Sequence, residues 1–208
     1  MRLLVLGGTK FLGRAVVDAS LATDHEITLF NRGETNAGLY PDVDQVHGDR
    51  DGGLGALAGS EWDAIVDTCG YFPRVVRQSA EALAEAVGAY CFVSSVSVYS
   101  DLSGVVDEES PVGTLEDETT EEFGADFERY GPLKALCERV VQETFGERAL
   151  IVRPGLIVGP YDPSGRFTYW PHRLARGGEV LAPGPPERLA QFIDVRDLAE
   201  RIVRLVND

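Results

Sequence analysis

The stretch RLLVLGGTKFLGRAVVDASLA, residues 2–22, runs from an apolar segment through a glycine turn into a segment with helical spacing. Residues 2–6 read as a buried strand, because a strand covered on both faces is apolar throughout. Gly7 and Gly13 stand six apart, and a helix opens behind them. A strand-to-helix turn of this kind lets the backbone approach a pyrophosphate, whose charge then meets the free N–H groups of the helix N-terminus. Gly7, Gly8, Thr9, Lys10, Phe11, Leu12 and Gly13 are therefore the first candidate cofactor contacts. Lys10 stands where the usual pattern has its middle glycine, and a merely tight turn is the competing reading.

Outward from this turn the alternation continues. EITLFN, DAIVDT and YCFVSS read as strands, and VVRQSAEALAEAVG reads as a helix between two of them. The pattern predicts an α/β chain with a doubly wound parallel sheet, a Rossmann fold. Residues 101–128 lose the periodicity and gather acids, predicting a surface loop with room for one short helix. Leu133, Leu136, Cys137, Val140, Val141 and Phe145 then share one helical stripe from residue 132, which Gly146 can end. ALIVRPGLIVGP predicts a further buried strand with a turn beyond it. The expected division is a dinucleotide-binding domain over 1–160 and a partial substrate lobe over 161–208, whose final strand and helix return to the core.

Composition limits the partners. The 208 residues carry a formal charge of -15, so the summed field repels phosphate backbones and anionic lipid and makes nucleic acid a poor partner. No run reaches the roughly 18 apolar residues of a membrane span, and no signal-peptide pattern precedes the first strand, so a cytoplasmic protein without membrane partners is expected. Cys69, Cys91 and Cys137 are odd in number and set in apolar surroundings, which suits reduced thiols. The scattered histidines show no metal-site spacing, and no metal is expected.

The end of the second strand selects among dinucleotides, because an acid there takes the ribose hydroxyls and a basic residue accommodates a 2′-phosphate. Asn31 and Arg32 occupy that position, with Lys10 and Arg14 nearby, which favours NADP(H) over NAD(H). The alternative has Asn31 capping the turn and Arg32 facing solvent. Asp49 and Arg50 follow the third strand and are candidates for the adenine, with turn capping as the other role for Asp49.

The only two lysines are Lys10 and Lys134, and Lys134 lies four residues after Tyr130. On a helix the two share a face. An ammonium near a phenol lowers its pKa from about 10, as a general acid/base working near neutrality requires. VSSVSVYS places serines at the end of a buried strand, where doubly wound folds put their ligands.

With the glycine turn, these residues resemble the short-chain dehydrogenase/reductase superfamily. The SSxSVY block, RPGLIVGP and QFIDVRDLA are similar to its extended branch, the NAD-dependent epimerase/dehydratase family. The resemblance implies Tyr130 as acid/base, Lys134 as its pKa modifier and nicotinamide-ribose ligand, and Ser95 as donor to the substrate oxygen. It also implies cofactor contacts from Thr68, Cys69 and Gly70 in DTCGY, which replaces the usual HLAA, and from Arg153 and Pro154. Val96 and Ser97 stand where the family's dehydratases carry an Asp-Glu pair, so hydride transfer or epimerisation at an alcohol/carbonyl carbon is expected rather than dehydration.

Extended members are longer, so part of the substrate lobe is expected to be missing. In what is present, Arg166, Tyr169, Trp170 and Arg173 could stack on and pair with a small-molecule substrate such as a nucleotide sugar, or could form a small core of their own. A homodimer is expected, with Val75, Val76, Leu83 and Val87 either at its interface or against the sheet. Two other functions compete: an RNA-binding protein on this fold, similar to the chloroplast stem-loop proteins, and an NADP(H)-sensing regulator without turnover.

Overall fold

The apolar segments pair as six parallel strands in a computed structural model that describes all 208 residues. In chain order these are β1 (Arg2–Leu6), β2 (Glu26–Asn31), β3 (Asp44–His47), β4 (Trp62–Asp67), β5 (Val87–Val93) and β6 (Ala149–Val152). Their order across the sheet is β3-β2-β1-β4-β5-β6. β1 therefore pairs with β2 on one side, Leu4 opposite Thr28, and with β4 on the other, Leu4 opposite Ile65. The order reverses between β1 and β4, and beyond the carboxyl ends of those strands a doubly wound sheet leaves its ligand crevice.

Two apolar layers hold the sheet. Alternate residues of β1 point to opposite faces, so Leu3 and Val5 join one layer and Leu4 and Leu6 the other. The first layer is completed by α1 (Phe11–Leu21) and α5 (Val195–Asn207), through Val16, Val17, Leu198 and Ile202. The second is completed by α2 (Pro73–Leu83) and α3 (Tyr130–Phe145), through Val76, Leu83, Cys137 and Val141. Each such fully buried aliphatic side chain stabilises the fold by roughly 1.5–3 kcal/mol.

Several local expectations change. Of the four side chains with two readings, Val76, Leu83 and Val87 are buried in the core and Val75 is half-buried. Residues 101–128 form turns without a helix, tied back by one antiparallel bridge between Tyr99 and Val112. α3 begins at Tyr130, two residues early, since Pro132 in the first turn lacks only an N–H that the helix would not use. ALIVRPGLIVGP breaks in two: β6 ends the main sheet, and β7 (Leu156–Val158) pairs with β8 (Phe192–Asp194) in a separate parallel ribbon. The break falls at Pro154, which has no N–H for a ladder and whose carbonyl instead accepts from Val96 N at 3.0 Å. A short helix, α4 (Tyr169–Ala175), lies in the segment after β7. No helix is long and apolar enough to cross a membrane.

Candidate functional site

A cleft of about 610 Å³ opens at the carboxyl ends of β1, β2 and β4. Its floor is the glycine turn. Gly7 has φ +106°, a conformation that a side chain would strain, and a Cβ there would lie 2.6 Å from Thr68 Oγ1. A Cβ on Gly13 would come within 2.8 Å of Gly8 N, so α1 starts tight against the turn. Lys10 is the exposed N-cap of α1 and makes no side-chain cap, and the turn from Gly7 to Gly13 lines the cleft throughout.

At the end of β2, Asn31 serves the turn itself. Its Nδ2 donates to Gly7 O at 3.3 Å, and its Oδ1 accepts from Gly33 N at 2.8 Å. Arg32 lines the cleft with a mostly exposed guanidinium 3.2 Å from Glu34 Oε2. Arg14, counted among the basic neighbours, is drawn away: its guanidinium lies over the Tyr161 ring at 3.6 Å. Asp49 lines the cleft and caps its own turn through Asp51 N at 2.9 Å.

Arg50 has a different place from the one expected. Its guanidinium turns inward onto Asp67, with Nη1 and Nη2 at 2.8 and 2.9 Å from the two carboxylate oxygens, and Nη2 also donates to Ser79 Oγ. Only its edge lines the cleft, because the fully buried Asp67 holds it. Asp67 further accepts from Tyr90 Oη at 2.9 Å and from Cys69 N at 3.0 Å. Burial opposes its ionisation, yet the guanidinium beside it holds the carboxyl below the ordinary carboxylate range.

Thr68 and Cys69 both line the cleft. Thr68 Oγ1 donates to Leu6 O, and burial pushes the Cys69 thiol up to about 11, so it stays protonated. Gly70 packs beneath them, and its carbonyl is the acceptor for Lys134.

Lys134 is 3% exposed, and its Nζ donates to Gly70 O and Val93 O, both at 2.7 Å. Two of its three N–H donors are thus committed, and the residue lines the cleft. Burial pushes the ammonium down to about 8, with Asp67 opposing. Tyr130 also lines the cleft, and burial raises its phenol above the ordinary tyrosine value, while the nearby Ser95 hydroxyl and then Arg166 pull it down. The expected lowering by Lys134 is not found. Two backbone carbonyls, just beyond β4 and at the carboxyl end of β5, hold its ammonium, and burial of the phenol outweighs its polar neighbours.

This arrangement has a pH consequence. In the unfolded chain Lys134 titrates near 10.5 and in the folded chain near 8, so between those values the unfolded chain binds more protons. Stability due to this residue therefore rises with pH across that window. Urea midpoints of the wild type and Lys134→Met, compared at pH 7 and pH 10, are expected to show the wild type gaining on the variant. A constant difference would refute the buried, charged lysine.

Ser95 stands beside Tyr130 rather than in the main cleft, and its Oγ accepts from Ser97 N at 3.1 Å. Its neighbour Ser94 lines the cleft with a buried Oγ that has no partner. Pro154 also lines the cleft. Arg153 does not: its guanidinium donates to Glu138 and Tyr99 Oη, fastening α3 to β6. Arg166, Tyr169, Trp170 and Arg173 likewise lie outside. Tyr169 and Trp170 pack edge to face on each other, Arg166 Nε donates to Ser164 Oγ, and Arg173 donates to Gly177 O and Glu179 O.

Asp67, Ser94, Glu34 and Tyr71 complete the surroundings, and sequence reasoning gave none of the four a role in the site. Asp67 did leave a signal, as an acid ending an otherwise apolar segment, IVD. The cleft suits a dinucleotide by its size, its glycine floor and the unpaired Ser94 hydroxyl.

Comparison with known proteins agrees with this geometry. The family model described as "NAD dependent epimerase/dehydratase family" matches residues 3–208. The chain is 26% identical over 227 residues to the chloroplast stem-loop binding protein of 41 kDa b of Arabidopsis thaliana; the match takes in 100% of this chain but only 55% of that protein. It superposes on UDP-glucuronic acid 4-epimerase from Bacillus cereus in complex with NAD with a TM-score of 0.74, at 17% identity and covering 100% of this chain and 74% of that one. Yeast methylglyoxal/isovaleraldehyde reductase Gre2 complexed with NADPH gives a TM-score of 0.71 at 17% identity, over 100% of this chain and 75% of that one.

Proposed function

Because the chain belongs to the NAD dependent epimerase/dehydratase family, we propose that its cleft holds a nicotinamide dinucleotide and that Tyr130 exchanges a proton with an alcohol or carbonyl oxygen beside it. The observation that carries this reading is the meeting of Tyr130, Lys134 and the glycine turn on one cleft, with the Ser95 hydroxyl next to the phenol. When bound, the dinucleotide supplies or accepts a hydride. The glycine turn and the N-terminus of α1 hold the pyrophosphate, and the uncommitted N–H of Lys134 and the Ser94 hydroxyl are the donors for the nicotinamide half. Ser95 holds the substrate oxygen. Tyr130, protonated at neutral pH like any phenol and held so further by burial, delivers the proton in the reducing direction. Residues 161–208 form the substrate-side lobe in this reading, with β8 and α5 returning to the core.

NADP(H) is the favoured cofactor, since Arg32 is the one guanidinium at the end of β2 with its side chain free to reach the cleft, although Glu34 competes for it. Titration with NADPH and NADH, followed by nicotinamide fluorescence, tests both points. NADPH is expected to bind more tightly, and Arg32→Ala to weaken NADPH about tenfold while leaving NADH unchanged, the loss of one charge-assisted contact. Binding of neither dinucleotide would overturn the proposal. The stem-loop relative supports a second reading, RNA binding, against which the charge of -15 weighs. A gel shift with RNA that weakens steeply with salt would favour it.

A further inference from the structure

Phe123 and Phe127, both from the acidic loop, carry an aromatic wall up to Tyr130. Phe123 stacks on Phe72 at 5.1 Å and on Phe127 at 5.5 Å, with interplanar angles of 19° and 15°, and meets Tyr130 edge-on at 5.9 Å. Tyr71, which lines the dinucleotide cleft, meets the same Phe123 ring edge-on at 6.2 Å. The wall thus runs from the main cleft past Tyr130 to Phe127.

Phe127 ends this wall at a cost to the fold. Its side chain is 66% exposed, and its φ is +58°, a left-handed conformation that a bulky residue rarely adopts. Ion pairs of Arg74 with Glu121, at 2.6 Å, and of Arg139 with Glu118 fasten the loop to α2 and α3. Phe127 thus packs one side of its ring on Phe123 and leaves an aromatic surface open to solvent on a fastened loop.

Phe127 also borders a second cleft, of about 430 Å³, which shares Tyr130 with the first. Ser97, Tyr99 and Ser100 are among its lining residues, with Tyr99 Oη and Ser100 Oγ already paired with Arg153 and Pro111 O, and its one charged side chain is the carboxylate of Glu128, held ionised below its ordinary range by backbone N–H donors. It contains neither lysine nor arginine. A pyrophosphate placed there would meet that carboxylate directly, while Arg129 and Arg166, whose charges reach Glu128 and Tyr130, stand outside the lining. The arginines expected to pair with a nucleotide sugar's phosphates lie outside this cleft, and Arg173 is engaged by carbonyls of its own segment.

We propose that this second cleft, with the Phe127 face as its wall, binds a neutral alcohol or ketone carrying a planar aromatic group, whose oxygen is directed at Tyr130. The inference rests on Tyr130 being the proton-moving group of the reading above. Stacking on an offset ring and exclusion of charge together set the substrate class.

The test uses 1-(2-naphthyl)ethanol, a fluorescent neutral aryl alcohol, titrated into the protein with and without saturating dinucleotide. Binding is expected, with Phe127→Ala weakening it about tenfold, Phe127→Leu weakening it less, and UDP-glucose at equal concentration failing to compete. The dinucleotide affinity of Phe127→Ala, measured separately, is expected to match the wild type. No binding of the aryl alcohol, binding indifferent to Phe127→Ala, or displacement by UDP-glucose each overturns the inference. Failure of the dinucleotide titration alone instead overturns the enzymatic reading and leaves the aryl-binding result to stand or fall by itself.

Discussion

Replacing Tyr130 with Phe is expected to lower turnover by at least 100-fold, on the order of what a positioned general acid contributes, with dinucleotide affinity within about twofold of the wild type. The phenol hydroxyl is the only atom that changes. Phe retains the ring that meets Phe123 edge-on, and α3 keeps its start, so neither the aromatic wall nor the cleft floor is disturbed. A turnover that survives the change would assign the proton to another group. Ser95→Ala, which removes the hydroxyl beside the phenol, should lower turnover by a smaller factor and raise the phenol further, since that hydroxyl favours the phenolate. The two variants should be strongly non-additive if they serve one transferred proton.

The largest stability effect is expected at Arg50. Arg50→Met leaves Asp67 charged, fully buried and without its cation, and breaking a buried pair from one side costs about 3–5 kcal/mol. Tyr90 and Cys69 N still donate to the carboxylate, which puts the loss toward the lower end of that span. Replacing both partners with apolar residues should recover most of the loss, because no charge is then left buried. Urea unfolding of the single and double variants checks this, and a single variant as stable as the wild type would refute the buried pair. The pH sense is fixed by the depressed Asp67 carboxyl: its contribution is complete above the ordinary carboxylate value of 3.8 and fades as the pH falls below it toward the lower native value. The pair also bears on the site, since Asp67 begins the turn whose Gly70 carbonyl holds Lys134.

The fold was legible because it rests on local pattern. Apolar segments long enough for one strand each, helical stripes between them and glycines at one turn are all features of neighbouring residues, and each reappears as an element of the six-stranded sheet. The four-residue spacing of Tyr130 and Lys134 was legible for the same reason. What that spacing does was not. The lysine's hydrogen-bond partners are carbonyls 64 and 41 residues away.

Arg50 shows the limit most directly. By position it follows the third strand and reads as an adenine contact, yet in space it faces the carboxylate that ends the fourth strand. Val76, Leu83 and Val87 had two readings, interface or core, and only the packing of α2 on the sheet chose between them. Phe123 and Phe127 sat in a segment that looked like solvated acid, and the wall they build beside Tyr130 exists only because the loop folds back over α2. Sequence alone therefore determined the sheet, the glycine turn and which side chains are chemically able to act, since these follow from periodicity and residue type. The tertiary structure decided which groups are buried, which are already paired and which remain free to meet a ligand, because those depend on residues far apart in the chain coming within a few ångströms.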